Sequence, residues 1–300
     1  MKKLFTVLLS VLMILSLAAC SSSSADSTPA ADTSAAKISE ATSIADLSGF
    51  KVAAQTGTFH VDALGQIDGV VASTLPDFTD LLIALKAGTI DGYVAEEPTA
   101  LAVCGSDPEL TYLPFVNNST GFTATDEDTG VAVGLVKGSD LTAQINEILA
   151  DLTVDVQREL MSEVIAITNG ETVTSFVLES ETPANPVGVL KVGMECAYEP
   201  YNWTETGANS YGCVPISGEG KDGLYANGFD VQVAQYVANK LNMSLEVYSL
   251  EWDSLIPAVQ SGTVDAIIAG MSPTAERATQ IDFTDCYYNS NLVVIIRAGE

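Results

Sequence analysis

Apolar positions along this chain follow two periods, and the changes between them mark out the elements. Val233, Ala234, Val237 and Leu241 recur at helical spacing within Val231–Leu241, with Gly228-Phe229-Asp230 placed as a cap. Leu190–Met194, Leu245–Tyr248, Ala266–Ala269 and Asn291–Arg297 are short branched and apolar runs that predict strands. Glu251-Trp252-Asp253 caps a helix running to Gln260. Thr274 is placed to cap a short helix with Glu276 and Arg277 in its first turn. Between the first strand and the long helix lies a long Gly/Asn/Ser-rich insertion, Gly207–Asn227.

Two distant stretches repeat the same pattern. Ile83–Glu96 reads IALKAGTIDGYVAE and Pro257–Gly270 reads PAVQSGTVDAIIAG, with Ala, Gly, Thr, Asp and Ala in register. Each predicts the end of an amphipathic helix, a left-handed glycine after it, and a short buried strand. Such a repeat implies two α/β lobes built alike. Ligands of open α/β sheets collect beyond the carboxyl ends of strands. Here those ends are Glu96 in one lobe and Gly270-Met271-Ser272 in the other.

The 300 residues suit two domains of ordinary size. Lys2-Lys3 and the apolar run Leu4–Ala19 have the form of a secretory leader rather than a span. The run ends Leu17-Ala18-Ala19-Cys20, similar to the bacterial lipobox. Residues 1–20 are therefore expected to be a lipoprotein signal peptide, with Cys20 lipidated (palmitate) at an extracytoplasmic membrane face. A plain signal peptide cut nearby is the alternative. The Ser, Ala, Thr, Asp and Pro of residues 21–38 predict a flexible tether.

The chain carries 12 basic and 39 acidic residues, a formal charge of −27. That excess argues against nucleic acid and polybasic membrane contacts, and most of it is expected on a solvated surface. Beyond Cys20 there are Cys104, Cys196, Cys213 and Cys286, with no CxxC pair and no His/Cys cluster, so neither metal nor cofactor is expected. An oxidising compartment would permit a disulfide between Cys196 and Cys213, whereas Cys104 and Cys286 fall on different lobes and are expected free. His60, the one imidazole, is expected to be partly exposed at a helix start.

The motifs GFDVxVAxxVAxKL, EWDxLIPAVQSGxxDAIIAGMSPTxER and IDFTDxYY lie between Leu190 and Arg297. Over that range the chain resembles the first half of the bacterial family 3 extracellular solute-binding proteins, the polar amino-acid receptors of ABC importers. Ile44 to about Met161 resembles the second half, through SIADLSGFKVAAQTGT, LLIALKAGTIDGYVAEEP and GVAVGLVKGSDL. The order of the halves is reversed, with residues 169–189 joining the family's usual C-terminus to its usual N-terminus. A circular permutant is expected, the rival being a fusion of two unrelated half-domains. The resemblance implies a type II periplasmic-binding-protein fold, α/β, with an interlobe cleft and a hinge near residues 130–137 and 292–297. Residues 39–136 form one lobe, 137–168 helices packing on the other, 169–189 a linker, and 190–300 the second lobe with a hinge strand.

A free amino acid is a zwitterion, and a site that removes it from water must supply a cation and an anion. The resemblance implies that Arg277 grips the α-carboxylate, with Ser272, Gly270 and Thr58 adding hydroxyl or backbone donors. It places Glu96 on the ammonium, Tyr198 and Trp252 as aromatic walls, and Glu195 at the far end of the ligand side chain. Gln55 falls in a ligand loop, and Phe59 replaces a smaller residue at the pocket floor. The implied activity is capture of a polar, preferentially basic, amino acid by a non-catalytic monomer that delivers it to an ABC permease and its ATPase. Alternatives are a sensor module for the same ligands and a dehydratase-type enzyme on the same fold.

Overall fold

The computed structural model describes residues 37–299; the leader, Cys20 and almost all of the tether lie outside the described residues. Ile38, expected within the tether, instead sits in a 3-10 turn (Ile38–Glu40) and is buried. An apolar side chain that reaches the core is held there by the burial it gains.

The first sheet is built from β1 (Lys51–Gln55), β2 (Val71–Leu75), β3 (Gly92–Glu96) and β4 (Leu110–Leu113). Its order is β2-β1-β3-β14-β4, where β14 (Leu292–Arg297) comes from the far end of the chain and runs antiparallel to β3. The second sheet mirrors it. Its core order is β11-β6-β12-β5-β13, from β6 (Val189–Met194), β11 (Ser244–Ser249), β12 (Ala266–Ile267) and β13 (Asp282–Asn289). Here the intruding strand is β5 (Gly130–Leu135), antiparallel to both β12 and β13. Each lobe thus orders its strands second, first, third, strand from the other half, last. This is the two-lobed type II arrangement that the resemblance implied.

The repeat behaves as its pattern predicts. α2 (Phe78–Lys86) and α8 (Leu255–Ser261) each end at a left-handed glycine, Gly88 at φ 71° and Gly262 at φ 74°, and each leads into a buried strand. The remaining helices are α1 (Phe59–Leu64), α3 (Glu97–Ser106), α4 (Asp126–Thr129), α5 (Leu141–Leu149), α6 (Val154–Thr168) and α7 (Phe229–Lys240). α5 packs on β13 and α7, while α6 packs on α7 and β13 and also on α3 of the first lobe. No helix among the described residues is long and apolar enough to cross a membrane.

Two expectations need correction, and the insertion Gly207–Asn227 is ordered. It holds β9 (Val214–Ser217) and β10 (Leu224–Asn227), which extend the sheet with β7 (Ala197–Tyr198) and β8 (Asn202–Thr206) in the order β9-β10-β8-β7. The turn glycines there connect antiparallel strands instead of dissolving them. That order also separates the two cysteines, which are both free thiols. Cys196 precedes β7 and Cys213 precedes β9, at opposite margins of the four strands, about 14 Å apart at the usual strand spacing and beyond disulfide reach. The expected hinge segments are laddered strands of opposite sheets, and the chain crosses between lobes just before them, through residues 114–129 and Ser290-Asn291. At the crossings the Asn117 N–H donates to Asn291 Oδ1 (3.1 Å), and Asn117 Oδ1 accepts from the Leu292 N–H (3.0 Å).

Under the second sheet's carboxyl ends lies Asp230, fully buried in the first turn of α7. Its Oδ2 accepts from Asn202 Nδ2 (2.8 Å) and its Oδ1 from the Tyr287 hydroxyl (2.7 Å), and the Gly270 N–H also donates to it. Asn202 Oδ1 in turn accepts from the Cys196 N–H (2.7 Å). One side chain therefore ties α7, β8, β13 and the turn after β12. Burial pushes its carboxyl up to about 7 against the pull of the Tyr287, Asn202 and Gly270 donors. Asp230→Ala strands those donors in the core and should cost about 2–4 kcal/mol, by unsatisfied buried groups at roughly 1–3 kcal/mol each. Urea unfolding checks this, with exposed Asp222→Ala as the neutral comparison.

Candidate functional site

Strand ends and short turns bring the chemistry together. β3 stops at Glu96, whose side chain is only 5% exposed, and β1 stops at Gln55, followed by a turn and the start of α1. From the other lobe come β7 with Tyr198, the turn Gly270–Ser272, and Arg277 at 9% exposure. Gly270 has φ 62°, and a Cβ there would stand 3.1 Å from the Tyr198 ring, so the turn approaches the aromatic face closely. Gln55, Thr58, Phe59, Glu96, Tyr198, Trp252, Gly270, Ser272 and Arg277 line one chamber between the lobes.

Charged groups are rarely buried unless paired, and the pairing here is incomplete. Arg277 Nη1 donates to the Ser272 carbonyl (2.9 Å) and Nη2 to the Gly57 carbonyl across the cleft (2.9 Å). Among the described residues no carboxylate lies within ion-pair distance of Arg277. Burial pulls its guanidinium down to about 10, opposed by Glu276 and Asp62. The Trp252 ring lies 5.2 Å from the guanidinium carbon, and its Nε1 donates to Gly57 O (3.1 Å), so this wall covers the arginine and reaches the other lobe. Thr58 differs from expectation: its hydroxyl donates to the Gln55 carbonyl (2.8 Å), which leaves only its oxygen to face the chamber.

Glu195 does not line the chamber but lies behind Gln55, whose Nε2, from the opposite lobe, donates to Glu195 Oε1 (2.8 Å). Burial pushes the Glu195 carboxyl up to about 7; Asp77, Glu251 and Asp253 add to this, and the Gln55 hydrogen bond opposes it. Its Oε2 is buried without a partner, as are Glu96 Oε2 and the Tyr198 hydroxyl. Tyr198 stacks on Phe78 of the first lobe at 4.0 Å and 10°, and on Tyr201 at 4.9 Å.

Two residues were not foreseen. His60 is buried, not partly exposed, because α1 turns it inward onto Glu96: Nε2 lies 2.9 Å from Glu96 Oε1 and the ring meets Phe78 edge-on at 5.8 Å. Phe78 opens α2 behind its cap Asp77 and supplies an aromatic face that periodicity could not distinguish from core. With both lobes' side chains in contact, the chamber measures about 20 Å³, the room of one water. A wider open groove of about 830 Å³, beside Phe176, Tyr211 and Lys240, contains none of the unpartnered buried atoms and none of the residues singled out above. No cluster among the described residues could hold a metal ion.

Residues 208–300 match the model of bacterial extracellular solute-binding proteins, family 3. The chain is 42% identical over 77 residues to the arginine-binding extracellular protein ArtP of Bacillus subtilis, covering 26% of this chain and 30% of that protein. It is 30% identical over 110 residues to an L-arginine-binding protein of Pseudomonas aeruginosa, covering 37% and 36%. The chain thus spans about a third of the length of the curated relatives it matches. Among solved structures, the alkanesulfonate-binding protein SsuA of Xanthomonas axonopodis aligns over 83% of this chain and 65% of its own, at 12% identity and TM-score 0.42.

The raised Glu195 carboxyl has a consequence for stability. Its folded value of about 7 exceeds the ordinary 4.5, so the folded protein binds more protons than the unfolded chain between the two. Stability from this group is full below about 4.5 and lost as pH rises through about 7. Thermal unfolding from about pH 5 to about pH 7.5 should show a falling melting temperature, and Glu195→Gln should flatten part of that slope.

Proposed function

From a chain whose residues 208–300 match the family 3 extracellular solute-binding model, we propose a receptor for a free polar amino acid, basic by preference, that serves an ABC importer. The observation that carries this reading is the unbalanced chamber. A buried guanidinium without a carboxylate partner shares it with a carboxylate, Glu96, that has one unpaired oxygen, and a second such carboxylate, Glu195, lies behind Gln55. An α-carboxylate suits the arginine fork, an α-ammonium suits Glu96, and a cationic side chain suits Glu195 beside the aromatic faces. The two arginine-binding relatives point the same way.

Entry requires the lobes to part, since about 20 Å³ holds no amino acid. Opening at residues 114–129 and Ser290-Asn291 breaks Gln55–Glu195, Trp252–Gly57 and Arg277–Gly57, and a ligand touching both lobes replaces those contacts. Ligand therefore shifts the population toward closure in proportion to what it binds in the closed state alone. The partners of this reading are an ABC permease with its ATPase, and a lipid anchor at Cys20 would hold the monomer at the extracytoplasmic face.

The chain order is read as a circular permutation rather than a chance fusion. Supporting it, the first and last strands of the first lobe in chain order, β1 and β14, meet at Asp91: the Lys51 N–H donates to Asp91 Oδ2 (2.8 Å), and Arg297 Nη2 lies 3.8 Å from Asp91 Oδ1. Chain ends that belong to one lobe can be joined, and a cut in an exposed linker is tolerated.

Calorimetry with L-arginine, L-lysine, L-ornithine and L-histidine tests the receptor reading; glutamate or leucine as the tightest ligand would sink it. Arg277→Ala should weaken the best ligand by about 2–5 kcal/mol, with Arg277→Lys recovering only part because an ammonium lacks the fork. The permutation is checked by joining residue 299 to residue 37 with a short glycine linker and opening the chain within 178–186. The rearranged protein should fold with an unchanged circular dichroism spectrum and the same ligand affinity. An aggregated or ligand-blind product would count against it.

A further inference from the structure

The buried His60–Glu96 pair joins α1 to β3 through side chains alone, and the family match, over residues 208–300, does not include it. Nε2 of His60 lies 2.9 Å from Glu96 Oε1, which leaves two buried atoms of the pair unpartnered: His60 Nδ1 and Glu96 Oε2. The Tyr198 hydroxyl is buried and unpartnered as well, and all three residues border the same chamber. Buried polar atoms without partners are few in folded proteins, and three around one cavity call for a common partner. The chemistry of the three decides which.

With the ring neutral and its Nε2–H donating to Glu96, Nδ1 is an acceptor. Glu96 Oε2 is an acceptor, and the Tyr198 oxygen accepts through its lone pairs. A primary ammonium has three N–H donors and no acceptor. We propose that His60 is a ligand-binding residue, completing with Glu96 and Tyr198 a three-acceptor seat for the ligand's α-ammonium, with Glu96 fixing the tautomer that turns Nδ1 toward it. The inference rests on the amino-acid reading above and adds a specificity device to it.

The experiment measures calorimetric affinity for L-arginine and for its α-deamino analogue, which lacks the ammonium, in the wild type and in two His60 variants. His60→Phe keeps a ring against Phe78 and should cost L-arginine ten- to a hundredfold, roughly the scale of one to two charge-assisted hydrogen bonds, while sparing the analogue. His60→Gln retains an amide donor for Glu96 and an acceptor for the ammonium, so it should bind L-arginine more tightly than His60→Phe does, by about tenfold, the scale of one such bond. Equal losses for both probes in His60→Phe, or no recovery in His60→Gln, would overturn the seat and leave the Arg277–Glu96 clamp standing. Failure of the wild type to bind any of the four basic amino acids would overturn the receptor reading and this inference with it.

Discussion

Arg277, Glu96 and Glu195 are withdrawn from water along one seam, and among the described residues none of them neutralises another. Removing an ionised group from water costs several kcal/mol unless a partner offsets it. The chain meets that cost locally and incompletely. Arg277 leans on two carbonyls and the Trp252 ring, Glu195 on an amide and a raised pKa, and Glu96 on the single imidazole of the protein. Each solution uses only part of the group's hydrogen-bonding capacity. The contacts across the seam, Gln55–Glu195, Trp252–Gly57 and Arg277–Gly57, thus leave buried hydrogen-bonding capacity unused on both sides.

The seam can exist because the scaffold on either side is stiff. In each lobe the strand from the other half lies inside the sheet, with partners on both edges, so the lobes cannot drift apart by fraying. The chain passes between the lobes at two crossings, where the Asn117 N–H donates to Asn291 Oδ1 and Asn117 Oδ1 accepts from the Leu292 N–H. Within the second lobe, Asp230 fixes the distance between the turn bearing Gly270 and the loop bearing Cys196 and Tyr198. On the proposed reading, two lobes joined by a narrow hinge would convert a ligand contact at Glu96 and another at Arg277 into one closure event.

Much of this was legible in the chain. The repeated helix–glycine–strand unit predicted two similar lobes, and it placed Glu96 at a strand's carboxyl end because a short apolar run with a left-handed turn before it has few other solutions. Ser272 stood out for the same local reason, just past the second copy, whereas Arg277 was singled out through the family motif that follows it. Such features depend on neighbours within about one helical turn or strand, and the order of residues specifies them directly.

Other features were settled only by the tertiary structure. His60 looked like an ordinary helix-start histidine, since nothing within several residues reveals Glu96, which lies 36 positions away and adjacent only once β1 and β3 pair. Phe78 belongs to the site because Tyr198 of the other lobe stacks on it. Cys196 and Cys213 shared a loop-rich stretch on paper, yet two strands run between them once β8 and β10 pair. Local pattern determined which elements form and where their ends point. Which side chains become buried together, and therefore which charges must find partners, was decided by contacts between segments that the sequence keeps far apart.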